Sequence, residues 1–434
     1  MFKLSDLTGL QIFQLTRYAA FILIGICFAK LHLDPSFIGE FETFVLVSGM
    51  VSFFWVSGII NSMLSIYPKK SEEDKKVVLF NTFISLFLFS IVAGILLFTF
   101  SDNLLCFLDK EGQGNITRLV VIYLLFNNPS FLIEYILYLN GQKRTIVIYG
   151  FAAALLSLAA AVVPVILHCP IDYSLYGLIA VAILRLVYAF VLLSRYAVFR
   201  FDLDMTLEHL KLSAPLILSI FVSGSAEYID GIIVKSKFDN TFFAIYRYGA
   251  RELPVLLIIA NTFSTAMISV IATNRDEGLD TLKRRSGKLM HLFFPLTIVL
   301  MVASPFLYPL IFNDSFTYSA VIFNIYLLLI IPRVLFPQTI LMGIRHSRYL
   351  LLSSIIEIII NVALSVYLAG KIGLPGVAAG TFIAYSIDKI FLAAVCHYKF
   401  HIQPWRYIQV KPYIVYVTLT FVSFALGYVI MLNR

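Results

Sequence analysis

Residues 213–272 read SAPLILSIFVSGSAEYIDGIIVKSKFDNTFFAIYRYGARELPVLLIIANTFSTAMISVIA. Two apolar runs flank a short polar turn at 235–241, which predicts two membrane helices joined as a hairpin. The runs contain five charged side chains, namely Glu227, Asp230, Arg247, Arg251 and Glu252. A charge at the centre of a spanning helix costs about 2.5–3.5 kcal/mol on insertion scales. The five charges therefore predict a polar cavity or mutual pairing, and not contact with lipid.

The remainder of the chain has the same apolar character. Of 434 residues, 60% are hydrophobic and 13% are charged, against about 25% charged in a typical soluble domain. Long apolar runs recur throughout, which predicts an all-α polytopic membrane protein. The runs predict thirteen spans, at 12–29, 41–66, 77–101, 117–139, 146–168, 175–194, 213–234, 242–272, 289–311, 320–342, 350–369, 377–396 and 413–432.

The distribution of Lys and Arg predicts the topology. With a cytoplasmic N-terminus, 20 of the 33 Lys and Arg residues fall in cytoplasmic segments and seven in outer segments. This asymmetry follows the positive-inside rule and predicts a multi-pass protein of the cytoplasmic (inner) membrane with its N-terminus in the cytoplasm. The net charge of +8 is explained by topology and by contact with lipid headgroups, without nucleic acid as a partner.

Two short patterns indicate an internal repeat. DPSFIGEF at 34–41 matches DNTFFAIY at 239–246, and LNGQKR at 139–144 matches LMGIRH at 341–346, with offsets of 205 and 202 positions. Because the two offsets are nearly equal, they predict two six-helix bundles related by a parallel repeat, plus one extra C-terminal helix. The predicted domains are an N-terminal lobe (1–195), a cytoplasmic linker (196–212), a C-terminal lobe (213–398), and a connection with the extra helix (399–434).

Charged residues also occur in other predicted spans. The intramembrane cations are Arg17, Arg185, Arg247, Arg251, Arg333 and Lys389, and the intramembrane acids are Glu134, Glu227, Asp230, Glu252, Glu357 and Asp388. Because the cations and the acids are equal in number, the sequence permits either complete ion pairing or a polar cavity. For Arg17, Arg247 and Arg251, which lie near span ends, snorkelling to the interface is a further alternative.

Arginine outnumbers lysine five to one among these cations. Because its planar guanidinium binds phosphate oxygens through two hydrogen bonds, this excess favours an anionic, phosphate-bearing substrate over an organic cation. Arg247 and Arg251 are four residues apart, which predicts a shared helix face. Pro332 and Pro337 flank Arg333 and predict a bend in its span.

The acids have two candidate roles. They balance the arginines, or they bind a coupling H⁺ or Na⁺. Glu227 and Asp230, three residues apart, are the best candidates for coupling, although pairing with Arg247 or Arg251 across the hairpin explains them equally well. Lys389 follows Asp388 directly, so the two are predicted to point about 100° apart. The remaining coupling or counter-ion candidates are Glu252, Glu357 and Asp388.

The sequence carries no pattern typical of an enzyme. It contains no GxSxG, P-loop or HExxH motif, and its four cysteines form no CxxC pair. We therefore predict a protein without catalytic residues, bound metal or organic cofactor.

The chain resembles, over nearly its whole length, the polysaccharide (O-antigen-type, lipid-linked oligosaccharide) flippases of the multidrug/oligosaccharidyl-lipid/polysaccharide exporter superfamily. The resemblance is carried by FIGEF at 37–41, by YID at 228–230, and by IGLPGVAAGT at 372–381, whose Gly376, Ala379 and Gly380 allow close helix approach. It implies translocation of a polyprenyl-diphosphate-linked oligosaccharide by alternating access. The functional positions that it implies are Arg17, Arg247, Arg251 and Asp230. Members commonly have 12 or 14 helices, whereas this sequence predicts thirteen.

Several alternatives remain open from the sequence. Within the same superfamily they are a cell-wall lipid-precursor flippase and an ion-coupled multidrug antiporter. A different class is a membrane-embedded glycan polymerase or ligase, which the short outer loops disfavour. Besides the glycan and membrane lipids, the flippase hypothesis implies a polysaccharide polymerase and assembly proteins as partners.

Overall fold

The computed structural model describes residues 6–100, 114–251 and 253–433, and within them the chain is helical with no strand. Short 3-10 turns occupy Tyr67–Lys69 and Asp314–Phe316. The α-helices are α1 Asp6–Lys30, α2 Pro35–Ile66, α3 Glu72–Thr99, α4 Gly114–Ser130, α5 Leu132–Leu139, α6 Lys143–Ile166, α7 Asp172–Tyr196, α8 Leu203–Gly224, α9 Ala226–Lys237, α10 Asn240–Gly249, α11 Pro254–Thr273, α12 Arg275–Ile311, α13 Ser319–Leu327, α14 Ile330–Arg333, α15 Pro337–Gly343, α16 Arg348–Ile372, α17 Leu374–Phe400, α18 Pro404–Tyr407 and α19 Val410–Leu432.

The helices confirm a polytopic membrane protein. In the described parts of the chain, twelve helices are long and apolar enough to cross a membrane, and one bent pair raises the number to thirteen. Polar residues mark where several of them begin. The side chain of Asp34 accepts a hydrogen bond from the Ser36 amide at 2.8 Å, and Pro35 occupies the first position of α2. Both features are typical of helix N-termini, because they satisfy or remove otherwise unpaired backbone donors.

The described chain divides into two compact units. The first contains the residues up to Tyr228 together with 238–241, and the second contains Ile229–Lys237 and the residues from Phe242 onward. In the first unit, α4 packs against α3 and α7, and α6 packs against α7. In the second unit, α13 packs against α12 and α17, and α16 packs against α17. The same order of neighbours in each unit is what a parallel repeat requires, while α19 packs against α12. The predicted lobe boundaries stay a prediction.

The hairpin at 213–272 is more broken than its apolar runs predict. The first predicted helix is divided into α8 and α9 at Ser225, and α8 begins at Leu203. The second is divided into α10 and α11, with Leu253 in an extended conformation (φ −73°, ψ 108°). Pro254 explains the second break, because a residue that precedes proline is sterically disfavoured in the helical region.

The predicted bend around Arg333 is confirmed. The helical segments 319–333 and 337–343 are bent by 41° relative to each other. Phe336, at the break, has a left-handed backbone conformation (φ 53°), and Pro337 starts the next helix.

Candidate functional site

A cavity of about 970 Å³ lies inside the first unit. Helices α1, α2, α4, α6 and α7 form its walls, which include Arg17, Arg185, Ser48, Asn127 and Phe131. Most of the other lining residues are apolar or small. A largely apolar wall with a few polar groups is typical of a ligand pocket.

Arg185 is held in this wall by its neighbours. Its Nε donates a hydrogen bond to the Tyr149 hydroxyl at 2.8 Å, and its Nη1 donates to Asn127 Oδ1 at 2.9 Å. The guanidinium also lies 5.6 Å from the centre of the Phe131 ring. Its Nη2 is buried and has no hydrogen-bond partner among the described residues. The side chain is therefore fixed in position with one donor group left over.

Arg17 lies where two cavities meet. It lines the first cavity and a second one of about 930 Å³, and the two cavities also share Phe13 and Phe131 in their walls. The guanidinium lies 5.7 Å from the Phe13 ring centre and 5.1 Å from the Phe131 ring centre. Its nearest anion is Glu134, at 4.0 Å between Nη1 and Oε1. Contact with aromatic faces orients the cation without occupying its donors.

The arrangement of Arg17 and Arg185 suits an anionic ligand. Both guanidiniums border one cavity, and each has a buried Nη atom without a hydrogen-bond partner in the described chain. The hydroxyl of Ser48, in the same wall, is also unpartnered among the described residues. An unpaired buried donor costs about 1–3 kcal/mol, and more when it is charged. Phosphate oxygens entering the cavity would remove this cost.

Asp230 forms a different kind of site in the second unit. Its side chain is 4% exposed, and its Oδ2 accepts hydrogen bonds from Tyr246 at 3.1 Å, Tyr326 at 2.5 Å and Thr381 at 2.5 Å. The amide group of Asn361 lies next to the same carboxyl group. The donors come from α10, α13, α16 and α17, so four helices meet at one carboxylate.

The cluster around Asp230 has no cationic side chain within ion-pair distance in the described chain. Asp230 therefore does not pair with Arg247 or Arg251 in this structure. Next to Asn361, the Ser365 hydroxyl lies 3.1 Å from both Asn361 Oδ1 and the Val377 carbonyl oxygen, and can donate its one proton to either. A buried carboxyl group surrounded by neutral oxygens can hold a proton or a small hard cation.

Four further predicted site residues interact with one another in the second unit, and two of them lie over the Tyr385 ring. The charged groups of Arg333 and Lys389 lie 5.3 Å and 4.6 Å from its ring centre. Lys389 Nζ forms an ion pair with Asp388 Oδ2 at 2.8 Å, although the two residues are neighbours on one helix. The flexible lysine side chain bends back far enough to bridge the predicted angle. Glu357 interacts electrostatically with Asp388, Lys389 and Arg333, which makes this a mixed-charge network.

Arg247 and Arg251 do not share a helix face as predicted. Arg247 is in the last turn of α10, which ends at Gly249, so Arg251 lies in the break before α11. There its Nε donates to the Arg247 carbonyl at 3.3 Å, and its guanidinium lies 5.0 Å from the Tyr248 ring centre. The side chains of Glu227 and Glu252 lie outside the described residues.

Two features of these sites were missed from the sequence. Glu134 was recognised as an intramembrane acid but not as a neighbour of Arg17, although its place five residues after Pro129 in a broken helix was a usable signal. The hydroxyls of Tyr246, Tyr326 and Thr381 gave no signal, because they lie far apart in the chain and in apolar surroundings.

The family of the protein follows from a comparison of its sequence with family models. Residues 33–321, more than half of the chain, match the model described as polysaccharide biosynthesis protein. The chain belongs to this family. No curated protein matched the sequence.

Comparison with solved structures identifies the fold of this protein. The fold is similar to that of the lipid II flippase MurJ in an inward closed conformation, with a TM-score of 0.71, 18% identity and coverage of 97% of this chain and 92% of that chain. It is also similar to an inward-facing multidrug resistance MATE family transporter of the MOP superfamily. The TM-score is 0.61 and the sequence identity is 15%, with coverage of 89% of this chain and 96% of that chain. A third similar structure is a MOP superfamily transporter from Pyrococcus furiosus. The TM-score is 0.53 and the identity 14%, with coverage of 88% of this chain and 91% of that chain. The protein therefore has the MurJ- and MATE-like fold.

Proposed function

We propose that the protein is a flippase that translocates a polyprenyl-diphosphate-linked oligosaccharide, the repeat unit of a surface polysaccharide, across the cytoplasmic membrane by alternating access. The observation that carries this proposal is the pair of arginines in the first-unit cavity. Arg17 and Arg185 face the same cavity and have unsatisfied buried donors, which suit the diphosphate group. Family membership and the transporter fold support the proposal.

The other intramembrane cations have supporting roles in this proposal. Arg247, Arg251, Arg333 and Lys389 bind acidic sugars or stabilise the second unit. The prenyl tail stays among membrane lipids, where its apolar surface is not exposed to water. The N-terminus is cytoplasmic, and a polysaccharide polymerase and assembly proteins act on the product outside. No bond is made or broken in the substrate, so the protein is not an enzyme.

Net transport is coupled to H⁺ or Na⁺ at Asp230. The support is its burial among three hydroxyls without a cationic side chain in the described chain. Either cation would neutralise the carboxylate, and a carboxylate exposed to hydrocarbon is costly. Glu357 and Asp388, in the network around Tyr385, and Glu227 and Glu252 are secondary candidates for coupling or charge balance.

A cell-wall lipid-precursor flippase is the second candidate. The similarity to the lipid II flippase MurJ over 97% of this chain favours it. A lipid precursor and a lipid-linked repeat unit both carry an anionic diphosphate, so the same arginines would serve either substrate. Cationic drugs would meet unfavourable charge in this cavity, which disfavours the antiporter alternative.

Reconstitution in liposomes tests the proposal. A fluorescent lipid-linked oligosaccharide is placed in the vesicles, and transfer between leaflets is followed with an imposed H⁺ gradient, an imposed Na⁺ gradient or neither. We expect protein-dependent transfer that one of the gradients accelerates. A parallel assay with a labelled lipid-linked peptidoglycan precursor distinguishes the two candidate substrates. Absence of transfer for both lipids would refute the proposed function.

A further inference from the structure

Glu134 is an acidic residue placed next to the basic cavity of the first unit. Helix α4 contains Pro129 and ends at Ser130, and α5 starts at Leu132. Glu134 is therefore in the first turn of α5, where the helix dipole favours a negative charge. Its side chain is 5% exposed, and it lines the 930 Å³ cavity together with Arg17.

The contact between Glu134 and Arg17 is incomplete on both sides. The distance of 4.0 Å between Arg17 Nη1 and Glu134 Oε1 exceeds that of a hydrogen bond. Arg17 Nη1 and Glu134 Oε2 are both buried and lack hydrogen-bond partners among the described residues. A buried ion pair offsets its desolvation only with good geometry and additional hydrogen bonds. Only Glu134 is buried in this pair, since 42% of the Arg17 side chain is exposed, and the long contact leaves Glu134 Oε2 without a partner among the described residues.

The charged and titratable groups that surround Glu134 come from several helices. Arg17 approaches from α1 and Arg185 from α7, while Tyr149 on α6 and Tyr135 on α5 itself are the titratable neighbours. Two cations therefore interact electrostatically with one carboxylate, and Arg17 lines the cavities of both Arg185 and Glu134. A diphosphate bound to the same cations would lie beside Glu134, and two like charges at that distance repel each other strongly.

We infer that Glu134 is a built-in counter-ion that competes with the substrate diphosphate for Arg17 and takes up a proton when the diphosphate binds. This inference rests on the proposed function and adds to it a proton-linked binding step in the first unit, separate from Asp230. In the empty protein the ionised carboxylate neutralises Arg17. When the anion enters, a proton from the bulk buffer passes through the cavity water to a Glu134 carboxylate oxygen, Arg17 remains protonated, and the guanidinium donates to phosphate oxygens.

Calorimetric binding of farnesyl diphosphate to the purified full-length protein tests this inference. Titrations in buffers of different ionisation enthalpy count the protons taken up for each ligand bound. The wild type should take up about one proton per ligand at alkaline pH, since one carboxylate changes its charge. Glu134→Gln should bind about tenfold more tightly at alkaline pH, because a competing anion is removed, and should take up no proton.

Two further variants make the outcome specific. Glu42→Gln is the matched control, because Glu42 is 5% exposed in the same unit but does not line the two cavities, and it should bind as the wild type does. In an Arg17→Gln background, Glu134→Gln should no longer strengthen binding. Unchanged proton uptake or weaker binding in Glu134→Gln would overturn the inference and leave the proposed function standing. Absence of binding by both the wild type and Glu134→Gln would overturn both.

Discussion

Two charged sites differ in how their charges are accommodated. One is the cavity of Arg17 and Arg185 in the first unit, and the other is the cluster around Asp230 in the second unit. The arginines border open volume and keep unpaired donors, so their charge is available to a large anion. Asp230 is buried, and three hydroxyl groups donate hydrogen bonds to one of its carboxylate oxygens. The difference teaches that a charge in a membrane segment can be accommodated either at a cavity or among neutral hydroxyl groups, which suits the two proposed roles of ligand binding in the first unit and ion binding in the second.

Removal of both cavity arginines should have the largest effect. Charge-assisted hydrogen bonds contribute about 1.5–3 kcal/mol each, so the double variant Arg17→Ala with Arg185→Ala should reduce transport at least a hundredfold, on the order of the loss of two such contacts. Transfer of the fluorescent lipid in proteoliposomes measures it. Arg285→Ala, an exposed arginine outside the cavity, is the control and should retain transport. Normal transport by the double variant would show that Arg17 and Arg185 are not needed to bind the substrate.

Neutralisation of Asp230 should abolish the response to the ion gradient. Asp230→Asn keeps the size of the side chain but removes the charge that a cation would balance. We therefore expect transport to become independent of the gradient. We also expect its rate to fall about tenfold, which is the scale of one lost charge interaction. Proteoliposomes with H⁺ or Na⁺ gradients imposed separately measure the change. Asp280→Asn, at an exposed position, should respond as the wild type does. A gradient response preserved in Asp230→Asn would place coupling elsewhere.

Tight packing of α16 against α17 should be needed to keep the Asp230 cluster together. A Cβ atom at Gly376 would lie 2.3 Å from the Leu368 carbonyl oxygen, whereas a Cβ at Gly370 would have no atom within 4 Å. Gly376→Ala should destabilise the protein by about 1–3 kcal/mol through overpacking, and Gly370→Ala should not. Thermal unfolding in detergent compares the two. Equal unfolding temperatures for these variants would contradict the close approach of the helices.

Loss of one hydroxyl at Asp230 should have the smallest effect. Tyr326→Phe removes a hydrogen bond of 2.5 Å to Oδ2, and Tyr246→Phe removes one of 3.1 Å. Each should change the concentration of coupling ion that gives half-maximal transport by about fivefold, as expected for one net hydrogen bond of about 1 kcal/mol. Tyr367→Phe, on the exposed face of α16, serves as the control. A concentration dependence identical to that of the wild type in both variants would show that the hydroxyls do not tune the ion site.

The fold was largely accessible from the amino-acid sequence. Apolar runs of membrane length predict the helices, because lipid requires every backbone polar group to be satisfied within the segment. The motif at 372–381 likewise predicts a close helix approach, which Gly376 and Gly380 confirm. The break at Ser225 was not predicted, because hydropathy does not show where a helix is interrupted. The break before Pro254 was missed although the proline itself was a usable signal.

The sequence by itself determined that charges lie within the membrane and which residues carry them. Only the tertiary structure decided their partners: Glu134 for Arg17, Tyr149 and Asn127 for Arg185, and hydroxyls for Asp230. The physical reason is that hydropathy is a sum over neighbours in sequence, whereas the partner of a buried charge is chosen by distances between helices that are far apart in the chain.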